Sequence, residues 1–273
     1  MPDDAVVFGA LGSGSSGNAF IIEYQDEALI IDQGFSRREL LRRMEHAGFS
    51  AGKLSAALLT HEHSDHCRGS RVFCDALELP LYTTAKTAHY LARHGTLPKL
   101  VRSFEPGADF THGSFHIRSF SISHDAVDPV GFQISCGSVR IGIATDFGYA
   151  PENIRRELRG CDALVLESNY DREMLMNSSR RIELKRRIAG VRGHLGNNDS
   201  AQLLCDLISD NTKLLLMAHI SSECNTPELV RSNCVSMLEQ LEIADKLKFD
   251  ILQQDMPSER FTIPVHHCGT MEN

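Results

Sequence analysis

Residues 61–66 read His-Glu-His-Ser-Asp-His, directly after the apolar stretch Ala56-Ala57-Leu58-Leu59-Thr60. Within that run His61, His63, Asp65 and His66 are good metal ligands, placed at the end of an expected buried strand. Imidazole and carboxylate donors suit zinc and its first-row neighbours better than magnesium or calcium, which prefer oxygen. Four ligands so close in sequence cannot all converge on one tetrahedral ion without contorting the backbone. They can serve two neighbouring ions if the chain turns sharply after the strand. His61 and His63, two apart on an extended segment, point the same way. Asp65 and His66 then open a turn or helix and face a second ion. A solvated polar turn would account for one histidine, but not for this run.

The rest of the composition sets bounds. A chain of 273 residues with 42% hydrophobic content is ordinary for a globular protein and is expected to form a single domain over residues 1–273. No apolar run approaches the roughly 18 residues of a membrane span, so no membrane partner is expected. The N-terminal Met-Pro-Asp-Asp lacks the basic and apolar regions of a secretory signal. Cys67, Cys74, Cys136, Cys161, Cys205, Cys224, Cys234 and Cys268 are scattered without a C-x-x-C pair, which fits reduced thiols in the cytoplasm. Cys67 reads as a small buried residue rather than a ligand. Net charge is −8, against a nucleic-acid binder by bulk charge alone. Yet Arg180, Arg181, Lys185, Arg186, Arg187 and Arg192 share thirteen residues with one acid, Glu183. That stretch is either a solvated helix face or a surface for phosphates.

Short runs of alternating character give the order of elements. Strands are expected at Val6–Leu11, Ala19–Tyr24, Ala28–Asp32, Leu54–Thr60, Leu81–Thr83, Phe115–Ser123, Val130–Cys136, Val139–Thr145, Ala163–Glu167 and Lys213–Ala218, with Lys248–Gln253 the last. Helices are expected at Ser36–Ala47, Gly69–Leu77, Lys86–His94, Pro151–Leu158, near Arg180–Ala189, at Ser200–Ser209 and at Pro227–Leu241. This order suggests an α/β protein with two sheets packed together and helices outside, an αββα sandwich. The Gly12–Asn18 turn lacks a P-loop ending and joins strand to strand, so it reads as a hairpin whose amides border the site.

A two-metal site needs more donors than one motif provides. His124, Asp146 and His219 each close an expected strand downstream. With these residues in that order, and with Asp32 in Ile31-Asp32-Gln33-Gly34, the chain resembles the metallo-β-lactamase superfamily over most of its length. The resemblance implies a four-layer fold in which His61, His63 and His124 hold one ion. It implies that Asp65, His66 and His219 hold the other, with Asp146 bridging and Asp32 orienting the ligand loop. Zn²⁺ is the expected ion, with Mn²⁺ and Fe²⁺ as alternatives. The flavodiiron branch carries Glu where this chain has His63, which argues against redox chemistry.

Glu167 in Leu166-Glu167-Ser168-Asn169 and His194 in Gly193-His194-Leu195-Gly196 resemble the proton-transfer pair of ribonuclease Z. The stretches Leu11–Phe20, Ser123–Phe132 and Ala218–Glu228 resemble bacterial exonucleases of the YycJ/WalJ type. Members of that group carry Ser where this chain has Gly196. The 146-to-219 gap is too short for a β-CASP insertion, and no long tRNA-gripping arm is evident. The resemblance therefore implies a metal-dependent phosphodiesterase, a single-stranded DNA 5′-to-3′ exonuclease, with Asp65, Glu167 and His194 as catalytic residues. Two ions about 3.5–4 Å apart would activate water for attack on phosphorus. His194, oriented by Glu167, would protonate the leaving oxygen. One competing reading is a thioester, lactone or lactam hydrolase of the glyoxalase II kind. The Glu167/His194 pair argues against it, because a thiolate needs little protonation to leave. A non-enzymatic metal scaffold is the other, though a closed structural zinc site needs only four ligands.

Overall fold

A computed structural model describes residues 4–265. Its first half contains β1 (Ala5–Gly12), β2 (Ala19–Tyr24), β3 (Glu27–Ile31), α1 (Arg37–His46) and β4 (Leu54–Leu58). It continues through α2 (Ser64–Cys67), α3 (Ser70–Leu77), β5 (Leu81–Thr84), α4 (Ala85–Arg93) and β6 (Val101–Phe104). The second half opens with β7 (Asp109–His112), β8 (Phe115–Ser121), β9 (Val130–Cys136), β10 (Val139–Ala144), α5 (Glu152–Leu158) and β11 (Ala163–Glu167). Then come α6 (Arg172–Asn177), α7 (Ile182–Ile188), α8 (Asn197–Leu207), β12 (Leu214–Ala218) and α9 (Pro227–Gln240). β13 (Lys248–Ile251) and β14 (Phe261–Pro264) finish the described chain.

These strands form two seven-stranded sheets, ordered β14-β1-β2-β3-β4-β5-β6 and β13-β12-β11-β10-β9-β8-β7. In each sheet an antiparallel meander passes into parallel strands, from β3 onward in the first and from β10 onward in the second. Alternation along the strands decides which layer each side chain enters. Phe8, Phe20 and Leu58 of one sheet and Phe132, Ile143 and Leu216 of the other share the inner core. Leu40, Met44, Phe73 and Leu91 of α1, α3 and α4 cover the outer face of the first sheet. Ile154, Leu203, Leu207, Val230 and Leu238 of α5, α8 and α9 cover the second. The result is the expected αββα sandwich. β12, buried at all five positions, reads as an unbroken apolar run because both its faces are covered.

α1 begins where Ser36 Oγ accepts from the Glu39 amide, an N-cap. Its Arg43 is buried and ties three segments together. The guanidinium donates from Nη1 to the carbonyls of Leu11 (2.7 Å) and Gln254 (3.0 Å), beneath the Phe35 ring at 4.1 Å. That contact anchors the turn after β1, on which the site depends.

Three strands escape the sequence pattern. β6 and β7 are short and only half-buried. β14 pairs with β1 across the whole chain, so Lys248–Gln253 is not the last strand. The strand expected to run to Ser123 ends at Ser121, leaving His124 on a loop. The basic helix is confined to Ile182–Ile188, so Arg180 and Arg192 flank it. Residues 1–3 and Cys268 lie outside the described residues, and so do the sequence expectations that concern them. Among the described residues no helix is long and apolar enough to cross a membrane.

Candidate metal centre

Strand ends deliver the polar residues. β3 leads into Asp32, β4 into Thr60 and His61, β10 into Asp146, β12 into His219, while Glu167 ends β11. Asp32, Asp146 and His219 take left-handed backbone conformations, with φ of 59°, 61° and 56°. Such conformations cost about 1–3 kcal/mol each and persist only where the surroundings enforce them. Here the Asp32 amide donates to Leu58 O (2.9 Å) and the His219 amide to Ser13 Oγ (2.9 Å). At each bend the chain leaves the sheet abruptly and turns its side chain along the rim. Gly34 makes a similar provision by size. A Cβ there would lie 1.7 Å from the Asp65 carbonyl oxygen.

The seven residues expected as ligands come together in two groups. The ring nitrogens of His61, His63 and His124 form one, each ligand atom within 4.8 Å of the others. Asp65, His66, Asp146 and His219 form the second under the same limit. Asp146 faces both, with Oδ2 3.1 Å from His66 Nε2 and Oδ1 4.0 Å from His124 Nε2. Asp65 Oδ2 stands 3.4 Å from His66 Nε2 and 3.5 Å from His219 Nε2.

Several of these atoms converge without bonding one another. His61 Nε2, His219 Nε2 and Asp146 Oδ2 are buried and lack a hydrogen-bond partner. The approach of His66 to Asp146 Oδ2 is close in distance but out of hydrogen-bond alignment. Leaving such groups unsatisfied costs roughly 1–3 kcal/mol each, more when charged. Buried donor atoms left without partners in each group are what a cation would satisfy, so the donor set fits two divalent ions.

Hydrogen bonds behind the rings fix which nitrogen faces inward. His66 Nδ1 donates to Asp32 Oδ2 at 2.7 Å, with both side chains fully buried. Asp32 Oδ1 accepts from the Thr60 amide and hydroxyl, both at 2.9 Å, and Thr60 Oγ1 lies 3.0 Å from His61 Nδ1. One carboxylate thus orients a ring in each group, directly for His66 and through Thr60 for His61. Glu167 Oε1 accepts from His219 Nδ1 at 2.9 Å and from His194 Nδ1 at 2.8 Å. Its Oε2 accepts from the amides of Phe147 and Leu195, which leaves this fully buried carboxylate fully bonded. Asn169 Nδ2 donates to the His219 carbonyl at 2.7 Å, and Asn18 Nδ2 stands 3.1 Å from His66 Nε2.

The electrostatics call for positive charge. Burial opposes ionisation of Asp146, but His219 and His66 hold its carboxyl well below the usual range. Burial depresses His219 too, yet Asp146, Asp65 and Glu167 outweigh it and push the imidazole up to about 10. Burial, followed by the charge of His66, drives His61 well down and favours the neutral ring, the form an imidazole must take to ligate a metal. His194 feels the same burial, but Glu167 holds it above its ordinary value.

The sequence pointed to Glu167, His194, Asp32 and all seven donors, and all ten lie at this rim. Thr60, Asn18 and Asn169 escaped it. Cys67, buried behind the motif, donates its thiol to Glu62 O (3.0 Å) and belongs to neither group. A cavity of about 220 Å³ opens above, walled by His63, Asp146, His194, Arg180 and Arg187, with Ser15 of the β1–β2 turn at its lip. Arg187 pairs with Asp125 and Arg180 Nε with Glu223 (3.1 Å), while Arg192 Nε donates to His124 O (3.1 Å). Lys185 turns away to Met176 O.

A profile of the β-lactamase superfamily domain matches residues 28–220. Exodeoxyribonuclease YycJ of Bacillus anthracis is 33% identical over 258 residues, 92% of this chain and 97% of that protein. Exodeoxyribonuclease WalJ of Streptococcus pneumoniae is 32% identical over 255 residues, 92% of this chain and 95% of that one. The crystal structure of the metallo-β-lactamase fold protein YhfI from Bacillus subtilis superposes with a TM-score of 0.69 at 16% identity. The superposition covers 95% of this chain and 100% of that one.

Proposed function

From the premise that the chain belongs to the metallo-β-lactamase superfamily, we propose that it is a dinuclear metal-dependent phosphodiesterase, an exonuclease degrading single-stranded DNA from the 5′ end. The observation that carries this reading is that His194, held at Nδ1 by the buried Glu167, lines the same cavity as members of both ligand groups. The names of the two curated relatives support the substrate class.

In this reading His61, His63 and His124 would hold one ion and Asp65, His66 and His219 the other, with Asp146 between the two groups. Bound there, divalent cations supply Lewis acidity toward a phosphate and acidify water to a nucleophile at neutral pH. The protein does the rest. Asp32, directly at His66 and through Thr60 at His61, and Glu167 at His219 engage Nδ1 of each ring, so Nε2 is the nitrogen left to face the centre. Arg180 and Arg187 in the cavity wall meet the anionic substrate. Glu167 engages Nδ1 of His194, which leaves Nε2–H free to protonate a departing sugar oxygen. Such general acid catalysis contributes about 10²–10⁴-fold. Against burial, His194 and then His219 hold the Glu167 carboxyl below its ordinary value, and the amides of Phe147 and Leu195 also donate to it.

The test is a substrate panel with the Zn²⁺- and Mn²⁺-loaded protein. The expected result is stepwise shortening of 5′-labelled single-stranded DNA, with no turnover of a thioester or nitrocefin. Hydrolysis of the thioester with intact DNA would overturn the reading, as would a His61→Ala variant that cuts DNA at the unaltered rate.

A further inference from the structure

Outside the catalytic cavity, α4 and the loop after His124 enclose a groove of about 530 Å³. Lys86, His89, Tyr90 and Arg93 line it from the helix and His94 from just past its C-terminal end, and Val127 lines it from the loop. Three features distinguish it from incidental surface. The ring of Tyr90, 36% exposed, stacks on His94 with centroids 4.1 Å apart and planes at 24°. The His94 ring is itself held, Nδ1 donating to the Tyr90 carbonyl at 2.8 Å. Val127 exposes 45% of its surface directly beside this platform. No carboxylate lines the groove, in a chain of net charge −8; Asp128 sits behind it and pairs with Lys86 at 3.1 Å.

The groove is also coupled to the centre. The Val127 amide donates to Glu62 Oε1 at 2.8 Å, and Glu62 lies between His61 and His63. Asp125, two residues before Val127, lines the catalytic cavity. A strand leaving that cavity along this loop would find an aromatic face, an apolar wall and cationic side chains in the groove.

We propose that the α4–Val127 groove is a remote subsite for single-stranded nucleic acid, in which an unpaired base stacks on Tyr90 and Lys86 and Arg93 take the flanking phosphates. This rests on the nuclease reading and adds to it a determinant of substrate length. Aromatic stacking suits an unpaired base of any sequence, since every base offers a π-face. Charge complementarity selects the occupant. An apolar peptide would leave Arg93 without an anionic partner, whereas a phosphodiester backbone supplies one and can share Lys86 with Asp128.

The test compares kcat/KM on an oligothymidylate trimer, a dodecamer and bis(p-nitrophenyl) phosphate, using Mn²⁺-loaded protein. Tyr90→Ala is expected to lower the dodecamer value about tenfold through KM, the size of one lost stacking contact. The loss is confined to the long substrate, and Tyr90→Phe, which keeps the ring, restores it. Arg93→Glu raises the dodecamer KM and flattens its salt dependence by about one charge. If wild type cleaves DNA but these variants match it on the dodecamer, the subsite is wrong and the nuclease reading survives. If wild type cleaves neither oligomer, both fall. An equal loss on all three substrates makes Tyr90 a purely structural residue and overturns the proposal. So does a Val127→Asp variant that dissolves a dimer in sedimentation while leaving the dodecamer KM unchanged.

Discussion

Asp32 and His66 meet through a 2.7 Å hydrogen bond between two side chains that solvent does not reach. The bond leaves His66 a single way to present a lone pair, and through Thr60 the same carboxylate governs His61. Asp32→Ala is therefore expected to weaken metal binding by about 10–100-fold without removing any donor. Calorimetric titration with Zn²⁺ measures it. Unchanged affinity at both sites would show that packing alone orients the rings.

His194→Ala separates proton donation from the rest of the centre. A sugar alkoxide needs a proton to depart, whereas p-nitrophenolate leaves readily without one. The variant is expected to lose about 10²–10⁴-fold on DNA and far less on bis(p-nitrophenyl) phosphate. Steady-state rates on both substrates decide the matter, because equal losses would make His194 a binding residue.

Arg180 and Arg187 wall the cavity but are each paired with an acid, so their contribution to binding is shared. Replacing both with Gln is expected to weaken binding of a non-hydrolysable phosphorothioate strand uniformly across sequences. The slope of log K against log salt should flatten by about 1 per cation removed. An unaltered slope in fluorescence anisotropy would place the strand elsewhere.

Away from the centre, Arg43→Ala leaves the buried carbonyl of Leu11 and the half-buried carbonyl of Gln254 without their donor. The expected cost is about 2–4 kcal/mol in urea unfolding. Arg43→Lys should recover only part of it, since one ammonium replaces a planar fork.

The same helix gives a pH signature. Hydrogen bonds from Arg42, and then Arg43, lower Glu39 from its ordinary 4.5 to about 2. A carboxyl lowered by folding stabilises above its unfolded value and loses that contribution as pH falls through the folded one. The stability gap between wild type and Glu39→Gln should hold steady above pH 4.5 and close toward pH 2. Glu39 is partly exposed, so the gap stays below about 1 kcal/mol. A gap that widens on acidification would reverse the assignment.

Much of this was legible in the residues, for identifiable reasons. β10, β11 and β12 are apolar runs each ending in or near a polar residue, and burial of both sheet faces makes such runs conspicuous. The donors carry their chemistry in their side chains, so their types could be read before their positions. β6 and β7 gave no such signal, because half-buried edge strands have no apolar face to display. β14 finds its partner at the opposite end of the chain, beyond the reach of any local pattern. Thr60, Asn18 and Asn169 are common polar residues whose importance lies in partners 28, 48 and 50 positions away. Only the folded chain reveals those pairs.

Neither ligand group belongs to one sheet. His61 and His63 follow a strand of the first sheet and His124 one of the second; Asp65 and His66 follow the first, Asp146 and His219 the second. An ion seated in either group would therefore rivet the two halves of the sandwich at one edge. Loading the centre would then stiffen the seam between them, and neither half, produced alone, would contain a complete set of donors for either ion.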